Sequence, residues 1–277
     1  MINKIALGTA QFGLNYGINN TAGQIAPEQA QTILDYAYNN NIDTIDTASA
    51  YGNSETVLGN YFKNSKNKFK IITKLNSSDN PENFVNDSFI KLNQKQIYAF
   101  LIHNFSIFRT NPYTYEILQN LKNNKQISKI GFSLYYPNEI DFLLENNIEF
   151  DILQVPYSIF DQRFSTYFEI LKEKNVEIHV RSIFLQGLFF KDHNNLTPHF
   201  STIKNNLKTI QNLCKELKVS IASLCQNFAL LNQNIDKVVI GIDNLEQLKE
   251  NINIINDHKI IKENYNLLKT LKIEDEN

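Results

Sequence analysis

Short apolar runs rich in β-branched residues alternate along this chain with longer segments whose apolar positions recur at helical spacing. We interpret the short runs as β-strands. The pattern predicts eight of them, at residues 4–7, 44–45, 69–73, 97–102, 127–131, 150–153, 176–180 and 237–240. Because the strands are separated by helical segments rather than by tight turns, the alternation is typical of a parallel sheet.

Helical segments fill most of the gaps between the predicted strands. The clearest apolar stripe is Ala30, Ile33, Leu34 and Ala37, which recur at i, i+3, i+4 and i+7. The sequence Asn-Pro-Glu at residues 80–82 predicts another helix start, with a cap, a proline and an acidic first turn. Further helical patterns cover residues 112–123, 139–145, 167–174, 203–217, 221–232 and 245–255, whereas residues 2–20 form an irregular lead-in and no helix is predicted between the second and third strands.

Eight strands with helices between them, in 277 residues, predict a parallel (β/α)8 barrel, with residues 1–277 as a single domain. An open dinucleotide-binding sheet would more often show a Gly-x-Gly-x-x-Gly turn after its first strand. The glycines found there, Gly8, Gly13 and Gly17, have another spacing. In a barrel of this kind chemistry lies at the carboxyl ends of the strands, so the residues that end each run are the candidates for function.

Composition narrows the class of protein further. With 42% hydrophobic and 20% charged residues the chain can bury a core, and 27 basic against 29 acidic residues indicate neither a nucleic-acid nor a membrane partner. Cys214 and Cys225 lack any paired spacing, so neither a disulfide framework nor a metal site is predicted. The first residues lack a signal-peptide pattern and no apolar run approaches the length of a membrane span, so we expect a cytoplasmic protein.

Four polar side chains follow the ends of three neighbouring strands. Asp46 and Tyr51 follow the second strand, Lys74 the third and His103 the fourth, so all four should converge on one mouth of the barrel. A strand-end carboxylate can pair with a lysine on the next strand. A lysine cation beside a phenol favours the phenolate, so the pattern predicts a lowered pKa for Tyr51.

This set of residues suits the reduction of a carbonyl group. A hydride then reaches the carbon while a positioned acid delivers a proton to the developing alkoxide. Tyr51 would be that acid and Lys74 would tune its pKa. Asp46 would hold Lys74, and His103 would orient the substrate oxygen by a hydrogen bond.

These residues, in this order, resemble the catalytic tetrad of the aldo-keto reductases. The resemblance rests on Asp46-Thr47-Ala48, then Tyr51-Gly52-x-Ser54-Glu55, then Lys74 and His103. Further segments match in order, namely Leu7-Gly8-Thr9, Ile130-Gly131-Phe132-Ser133, Gln154-Val155-Pro156-Tyr157-Ser158, residues 182–188 and residues 241–251. The resemblance covers nearly the whole chain and implies a barrel oxidoreductase that acts on a small-molecule aldehyde or ketone.

By the same resemblance the cofactor is a nicotinamide dinucleotide, NADPH or NADH, extended across the barrel mouth. Ser133 and Gln154 would hold the nicotinamide carboxamide. The other positions that the resemblance places along the cofactor are Gly187 and Leu188 near the pyrophosphate, Glu250 and Asn251 near the adenine, and Gly8, Thr9, Arg181, Ser182, Gly241, Asp243 and Gln247.

Leu134, where many members of the family have asparagine, departs from the family pattern, and so do Arg181 and Asp243. Arg181 stands where the family usually supplies an aromatic ring to stack on the nicotinamide. A guanidinium can stack on a ring, but a cation beside an oxidised nicotinamide is unfavourable, so Arg181 either faces the cofactor or binds an anionic substrate. Asp243 lies in a segment without the cation that NADPH-preferring members direct at the 2′-phosphate, and it would repel a phosphate, so we expect a weakened NADPH preference or use of NADH.

The sequence leaves alternatives open for the substrate and for the class of activity. Residues 9–13 and 184–188 are similar to bacterial members found among polysaccharide-assembly enzymes, which suggests a sugar or nucleotide-sugar carbonyl. A second hypothesis is a cofactor-binding regulatory subunit that senses redox state with little turnover. A third is a Schiff-base lyase or aldolase that uses Lys74, against which Tyr51 and His103 at the family spacing argue.

Overall fold

Eight parallel strands close into a barrel in which each strand pairs with the next and the last pairs with the first, as a computed structural model of the chain shows. The structure describes residues 1–17, 20, 23–194, 196 and 198–273. The strands are β1 (Ile5–Gly8), β2 (Thr44–Asp46), β3 (Lys70–Leu75), β4 (Ile97–Ile102), β5 (Ile127–Ser133), β6 (Ile152–Pro156), β7 (Glu177–Arg181) and β8 (Lys237–Gly241). The predicted (β/α)8 barrel is therefore confirmed.

Helices connect the strands and extend beyond the last one. In chain order they are α1 (Ala10–Gly13), α2 (Pro27–Asn39), α3 (Ser54–Asn64), α4 (Pro81–Leu92), α5 (Phe105–Thr110), α6 (Tyr113–Asn123), α7 (Pro137–Glu145), α8 (Phe168–Glu173), α9 (Lys204–Leu217), α10 (Ile221–Leu231), α11 (Leu245–Asn253), α12 (His258–Glu263) and α13 (Tyr265–Thr270). Short 3-10 turns lie at Ile2–Lys4, Ser165–Tyr167, Leu185–Phe190, Pro198–Ile203 and Ile254–Asp257.

The helix between β2 and β3 is the main element that the sequence pattern missed. Gly59 lies in the middle of α3, where glycine weakens a helical signal. A Cβ atom at Gly59 would lie only 1.9 Å from the carbonyl oxygen of Lys91 in α4. Close packing of α3 on α4 therefore requires glycine at position 59, although the low helix propensity of glycine weakens the sequence signal for α3.

Every strand except β4 ends later than predicted, and the extensions of β5 and β6 carry candidate site residues. The run at residues 150–153 predicts a strand that ends before Gln154, whereas β6 begins at Ile152 and includes Gln154. β5 extends to Ser133, two residues beyond the prediction. Ladder pairing between the two strands, with Ser133 opposite Gln154, accounts for these extensions.

Residues alternate between the barrel interior and the layer of helices. In β7, Ile178 and Val180 pack in the main core between sheet and helices, whereas His179 alternates with them and lies wholly buried inside the barrel. A small apolar cluster fills the middle of the barrel and consists of Ile72, Ala99, Leu101 and Ile152. The inward side chains beyond this cluster, at the carboxyl ends of the strands, are polar, and they form the floor of the mouth.

Two remaining predictions from composition concern disulfide bonds and membrane-spanning helices. Cys214 and Cys225 are both buried free thiols, so no disulfide links them. Burial raises the pKa of the Cys214 thiol to about 11. Within the described part of the chain, no helix is both long and apolar enough to cross a bilayer.

Candidate active site

A buried ion pair joins the ends of β2 and β3. The ammonium of Lys74 donates to Asp46 Oδ1 at 2.6 Å and to the backbone carbonyl of Thr47 at 3.0 Å. The other carboxylate oxygen, Oδ2, accepts a hydrogen bond from Gln154 Nε2 at 2.7 Å. Asp46 and Lys74 are 2% and 1% exposed, so both charges are shielded from water and each depends on the other.

Tyr51 and His103 lie against this pair. The Lys74 ammonium is 5.1 Å from the centroid of the Tyr51 ring. The rings of Tyr51 and His103 meet edge to face, with centroids 5.8 Å apart and planes at 85°. The structure thus brings together the four residues that the sequence places at three strand ends.

Burial sets the pKa of Tyr51 in the direction opposite to the sequence-based prediction. The largest influence is loss of hydration around the phenolate, which raises the pKa, and the charge of Lys74 only partly opposes it. The prediction of a lowered pKa is therefore wrong for this structure, because it counted the neighbouring cation without the buried position. A phenol with a raised pKa remains protonated at neutral pH and is available as a proton donor.

The imidazole of His103 is neutral at physiological pH. Burial is the main cause of a pKa of about 4, and the positive charge of Lys74 lowers it further. The Nδ1 atom of His103 is buried and finds no hydrogen-bond partner among the described residues. A neutral imidazole can donate from one ring nitrogen, and it adds no second cation to the site.

Two glycines fix the position of Tyr51. A Cβ atom at Gly13, in α1, would lie 1.7 Å from the backbone oxygen of Tyr51. A Cβ atom at Gly52, which has a φ of +54°, would lie 2.3 Å from the Gly13 oxygen. The backbone of α1 therefore lies directly against the Tyr51 loop, an approach that only glycine allows at both positions.

Polar residues around the Tyr51 loop hold the strand ends together. Ser54 Oγ donates to the backbone oxygen of Thr9 at 2.9 Å, and Thr9 Oγ1 lies 3.1 Å from the backbone oxygen of Asp46. Thr9, which the resemblance places along the cofactor, is fully buried and joins β1 to β2. Glu55 accepts a hydrogen bond from Thr73 at 2.6 Å, which ties α3 to β3.

The two residues expected to hold the nicotinamide carboxamide lie side by side at the mouth of the barrel. Ser133 and Gln154 are neighbours in the β5–β6 ladder, and each is only 1% exposed. Because Gln154 Nε2 is bound to Asp46, its Oε1 is the atom left to accept from an amide N–H. These two side chains fit the polar edge of a nicotinamide.

Gln11 is a mouth residue that sequence reasoning did not assign to the site. It is 7% exposed, and its Oε1 is buried without a partner among the described residues. A Cβ atom at Gly241 would lie 3.0 Å from Gln11 Nε2, so Gln11 lies over the end of β8. The sequence feature that could have identified Gln11 is its position two residues after the Leu7-Gly8-Thr9 segment.

Most of the other residues expected along a cofactor lie at the end of β7 or β8 or in the segments that follow these strands. The backbone at Ser182 and Gly187 has positive φ values of 61° and 97°. Asp243 and Gln247 hold each other, since Gln247 Oε1 accepts from the Asp243 backbone N–H at 2.8 Å and Gln247 Nε2 donates to Asp243 Oδ2 at 3.1 Å. Leu188 is half-buried, Gly241 and Glu250 are exposed, Gly8 is buried at the end of β1, and Asn251 is only 9% exposed.

Arg181 ends β7, and its guanidinium is held in place. One terminal nitrogen donates to the backbone oxygen of Leu134 at 3.0 Å. The guanidinium carbon lies 4.2 Å from the centroid of the Tyr135 ring. Among the described residues, no group of three or more histidine, cysteine, aspartate or glutamate side chains is arranged to hold a metal ion.

Comparisons with known proteins bear on the chain as a whole. The model of the Aldo/keto reductase family matches residues 4–273. The uncharacterized oxidoreductase YqkF of Bacillus subtilis (strain 168) is 24% identical, and the match covers 97% of this chain and 96% of that protein. A holo-form aldo-keto reductase structure from Bacillus halodurans is 19% identical with a TM-score of 0.76, covering 99% of this chain and 94% of that one. At this level of sequence identity, the structural likeness shows a shared fold.

Proposed function

The chain belongs to the aldo/keto reductase family, and from this premise we propose that it reduces an aldehyde or ketone to an alcohol with NADPH or NADH. The observation that carries the proposal is Tyr51 beside the buried pair of Lys74 and Asp46. Family membership and an oxidoreductase relative support the reaction class. The substrate is a small carbonyl compound, and a sugar aldehyde or keto-sugar fits the proposal.

Each side chain of the site has one task in this reaction. A nicotinamide dinucleotide supplies the hydride when it is bound. Tyr51 donates its phenolic proton to the carbonyl oxygen, and the charge of Lys74 stabilises the phenolate that remains. Asp46 keeps Lys74 charged and in place, although burial alone would lower the pKa of that ammonium. Neutral His103 orients the substrate oxygen.

Burial of the ion pair makes this arrangement effective. Lys74 and Asp46 are almost inaccessible to water, so the field that Lys74 exerts on Tyr51 is weakly screened. Their geometry is set before any substrate arrives, because Asp46 is bonded through both carboxylate oxygens. Such preorganised charge stabilises a developing alkoxide and a phenolate without reorganisation during the reaction.

Replacing Tyr51 with phenylalanine tests the proton-donor role. We expect Tyr51→Phe to lower kcat by roughly 10²–10⁴-fold, while the cofactor Kd stays within a few-fold, because the lost interaction is needed mainly in the transition state. Steady-state kinetics with a carbonyl panel give kcat. Tyr38→Phe is the matched control, because Tyr38 packs against Phe69 away from the site. Near-normal turnover by Tyr51→Phe would remove this assignment.

Asp243 provides the test of cofactor preference. Its carboxylate, held by Gln247, would repel a 2′-phosphate, so we expect the wild type to bind NADPH no more than a few-fold better than NADH. Asp243→Asn should shift the ratio of Kd values toward NADPH. Since the chain has no tryptophan, the fluorescence of the bound cofactor is the readout. Glu246→Gln, at an exposed glutamate paired with Lys249, is the control.

The same titration separates the proposed activity from its alternatives. A hundredfold preference of the wild type for NADPH would contradict the role of Asp243. Saturable binding of a dinucleotide without turnover of any carbonyl would favour a redox-sensing regulatory subunit. Absence of binding to either dinucleotide would remove both and leave Schiff-base chemistry on Lys74, which borohydride trapping of a bound carbonyl would reveal.

A further inference from the structure

Arg181 brings a positive charge into the mouth of the barrel. It is the last residue of β7, lies opposite Pro156 of β6, and shares the inward register of His179 two residues earlier. The side chain is half-buried, so part of it remains accessible from the mouth. Its charge is among the influences on both Tyr51 and His103, after burial and Lys74, which places it near the proposed reaction centre.

The guanidinium is preorganised. The Leu134 carbonyl fixes one terminal nitrogen, and the Tyr135 ring supports one face at 4.2 Å. Leu134 O accepts from only one of the five guanidinium N–H groups, and no other acceptor for them lies among the described residues. A planar fork supported in this way loses little side-chain entropy when it binds a further group.

No acidic partner balances Arg181. In the described part of the chain no carboxylate lies within ion-pair distance of it, whereas Arg163 is paired with Asp161 at 2.8 Å. Asp46 is committed to Lys74 at 2.6 Å. Among the described residues Arg181 is thus a half-buried cation with no counter-ion in ion-pair range, and such a cation is stabilised when an anion binds.

We propose that Arg181 binds an oxyanionic group, a carboxylate or a phosphate, on the carbonyl substrate. A carboxylate or phosphate presents two oxygens to the guanidinium fork, which matches the bidentate geometry that arginine favours. The substrate is then an anionic aldehyde or ketone. This inference rests on the proposed carbonyl reduction, because it assigns a specificity to that same site.

Matched pairs of charged and neutral aldehydes test the inference. We compare 4-carboxybenzaldehyde with 4-formylbenzamide, and glyceraldehyde 3-phosphate with glyceraldehyde, in the wild type, Arg181→Gln and Arg181→Lys. In the wild type the charged member of one pair should have a kcat/KM about 10-fold higher or more, mainly through KM. The pair with the larger ratio identifies carboxylate or phosphate as the recognised group.

The variants separate a role toward the substrate from a role toward the cofactor. Arg181→Gln should remove the preference for the charged aldehyde, lower kcat/KM much more for that aldehyde than for its neutral partner, and change the charged-to-neutral ratio more than the cofactor Kd. Arg181→Lys should give an intermediate preference, because it keeps the charge and loses the fork. Arg163→Gln, which removes a positive charge already paired with Asp161, should change nothing.

Two outcomes would overturn the proposal: a charged-to-neutral ratio that Arg181→Gln does not change, or a large loss of cofactor affinity in that variant with the ratio intact. Calorimetry, with and without NADPH, measures the binding of 4-(hydroxymethyl)benzoate and of its amide. It therefore tests anion binding independently of turnover. In one outcome no aldehyde is reduced, but the benzoate binds more tightly than the amide and Arg181→Gln removes this difference. That outcome would refute the proposed carbonyl reduction and support the anion site.

Discussion

At the scale of single residues, burial decides the protonation state of the site more than neighbouring charge does. Tyr51 has a cation beside it, yet its pKa is raised, because removing the phenolate from water outweighs the attraction to Lys74. In His103 burial and the Lys74 charge act in the same direction and bring the pKa to about 4. Both groups are therefore in uncharged forms at neutral pH, with Tyr51 holding the proton that the proposed reaction consumes.

His103 offers a direct measurement of this effect. We expect its imidazole to titrate near pH 4 in NMR spectra of the wild type, well below the ordinary value of 6.5. Lys74→Met should move the midpoint upward, because it removes a positive charge that disfavours the imidazolium. His103→Gln assigns the signal. A midpoint near 6.5 in the wild type would show that water reaches the ring.

The pKa of His103 also links pH to stability. A histidine whose pKa is lowered by folding binds its proton more readily in the unfolded chain. Its contribution to the free energy of unfolding is thus complete above pH 6.5 and is lost progressively as the pH falls toward about 4. The active site and the fold therefore depend on the same neutral imidazole.

At the scale of elements, glycine contacts position the loop that carries Tyr51. Helix α1 lies so close to the Tyr51 loop that a methyl group at Gly13 would overlap the Tyr51 carbonyl. A comparable contact joins α3 to α4, where a methyl group at Gly59 would overlap the Lys91 carbonyl. The first contact positions a proposed catalytic side chain, whereas the second serves helix packing.

This pair of contacts allows a controlled experiment. Gly13→Ala should displace the Tyr51 loop and lower kcat by at least about 10-fold in protein that remains folded, since small misplacements of a reacting group are costly. Gly59→Ala should lower the melting temperature through a similar clash but leave kcat of the folded protein unchanged. Equal kcat values in the two variants would show that α1 does not position Tyr51.

At the scale of the whole molecule, the two ends of the barrel carry different polar networks. The carboxyl end holds the candidate active site. At the amino end Glu177 accepts from Lys129 Nζ at 2.6 Å and from Tyr98 Oη at 2.7 Å, and it lies 3.2 Å from His179 Nε2. Burial would raise the pKa of Glu177, but these partners outweigh it and hold the pKa well below 4.5. This network closes the barrel opposite the mouth.

Glu177→Gln tests the stabilising role of that network. We expect it to lower the free energy of unfolding by about 1–2 kcal/mol at pH 7, because a partly exposed carboxylate with three partners loses its charge. A carboxyl whose folded-state pKa is depressed stabilises above its ordinary value of 4.5, so the difference from wild type should shrink as the pH falls below that value. Urea unfolding measures it. Exposed Glu173→Gln is the control, and kcat should not change.

The alternation of apolar runs and helical stripes was sufficient to predict the (β/α)8 barrel. Parallel topology then places the ends of successive strands at one mouth, so the order of Asp46, Tyr51, Lys74 and His103 along the chain predicted their convergence. These features are local in sequence or follow directly from chain order. For that reason they could be inferred before any distance was known.

Other properties arise only when the barrel closes. Gln154 binds Asp46 across 108 residues of sequence, and no local pattern indicates that contact. Leu134 and Tyr135 hold the Arg181 guanidinium, and no local pattern indicates these contacts either. The pKa of Tyr51 depends on water excluded by every neighbour at once. A sequence pattern encodes the period of each element, whereas burial and long-range distances depend on how all elements pack, so only the tertiary structure decides them.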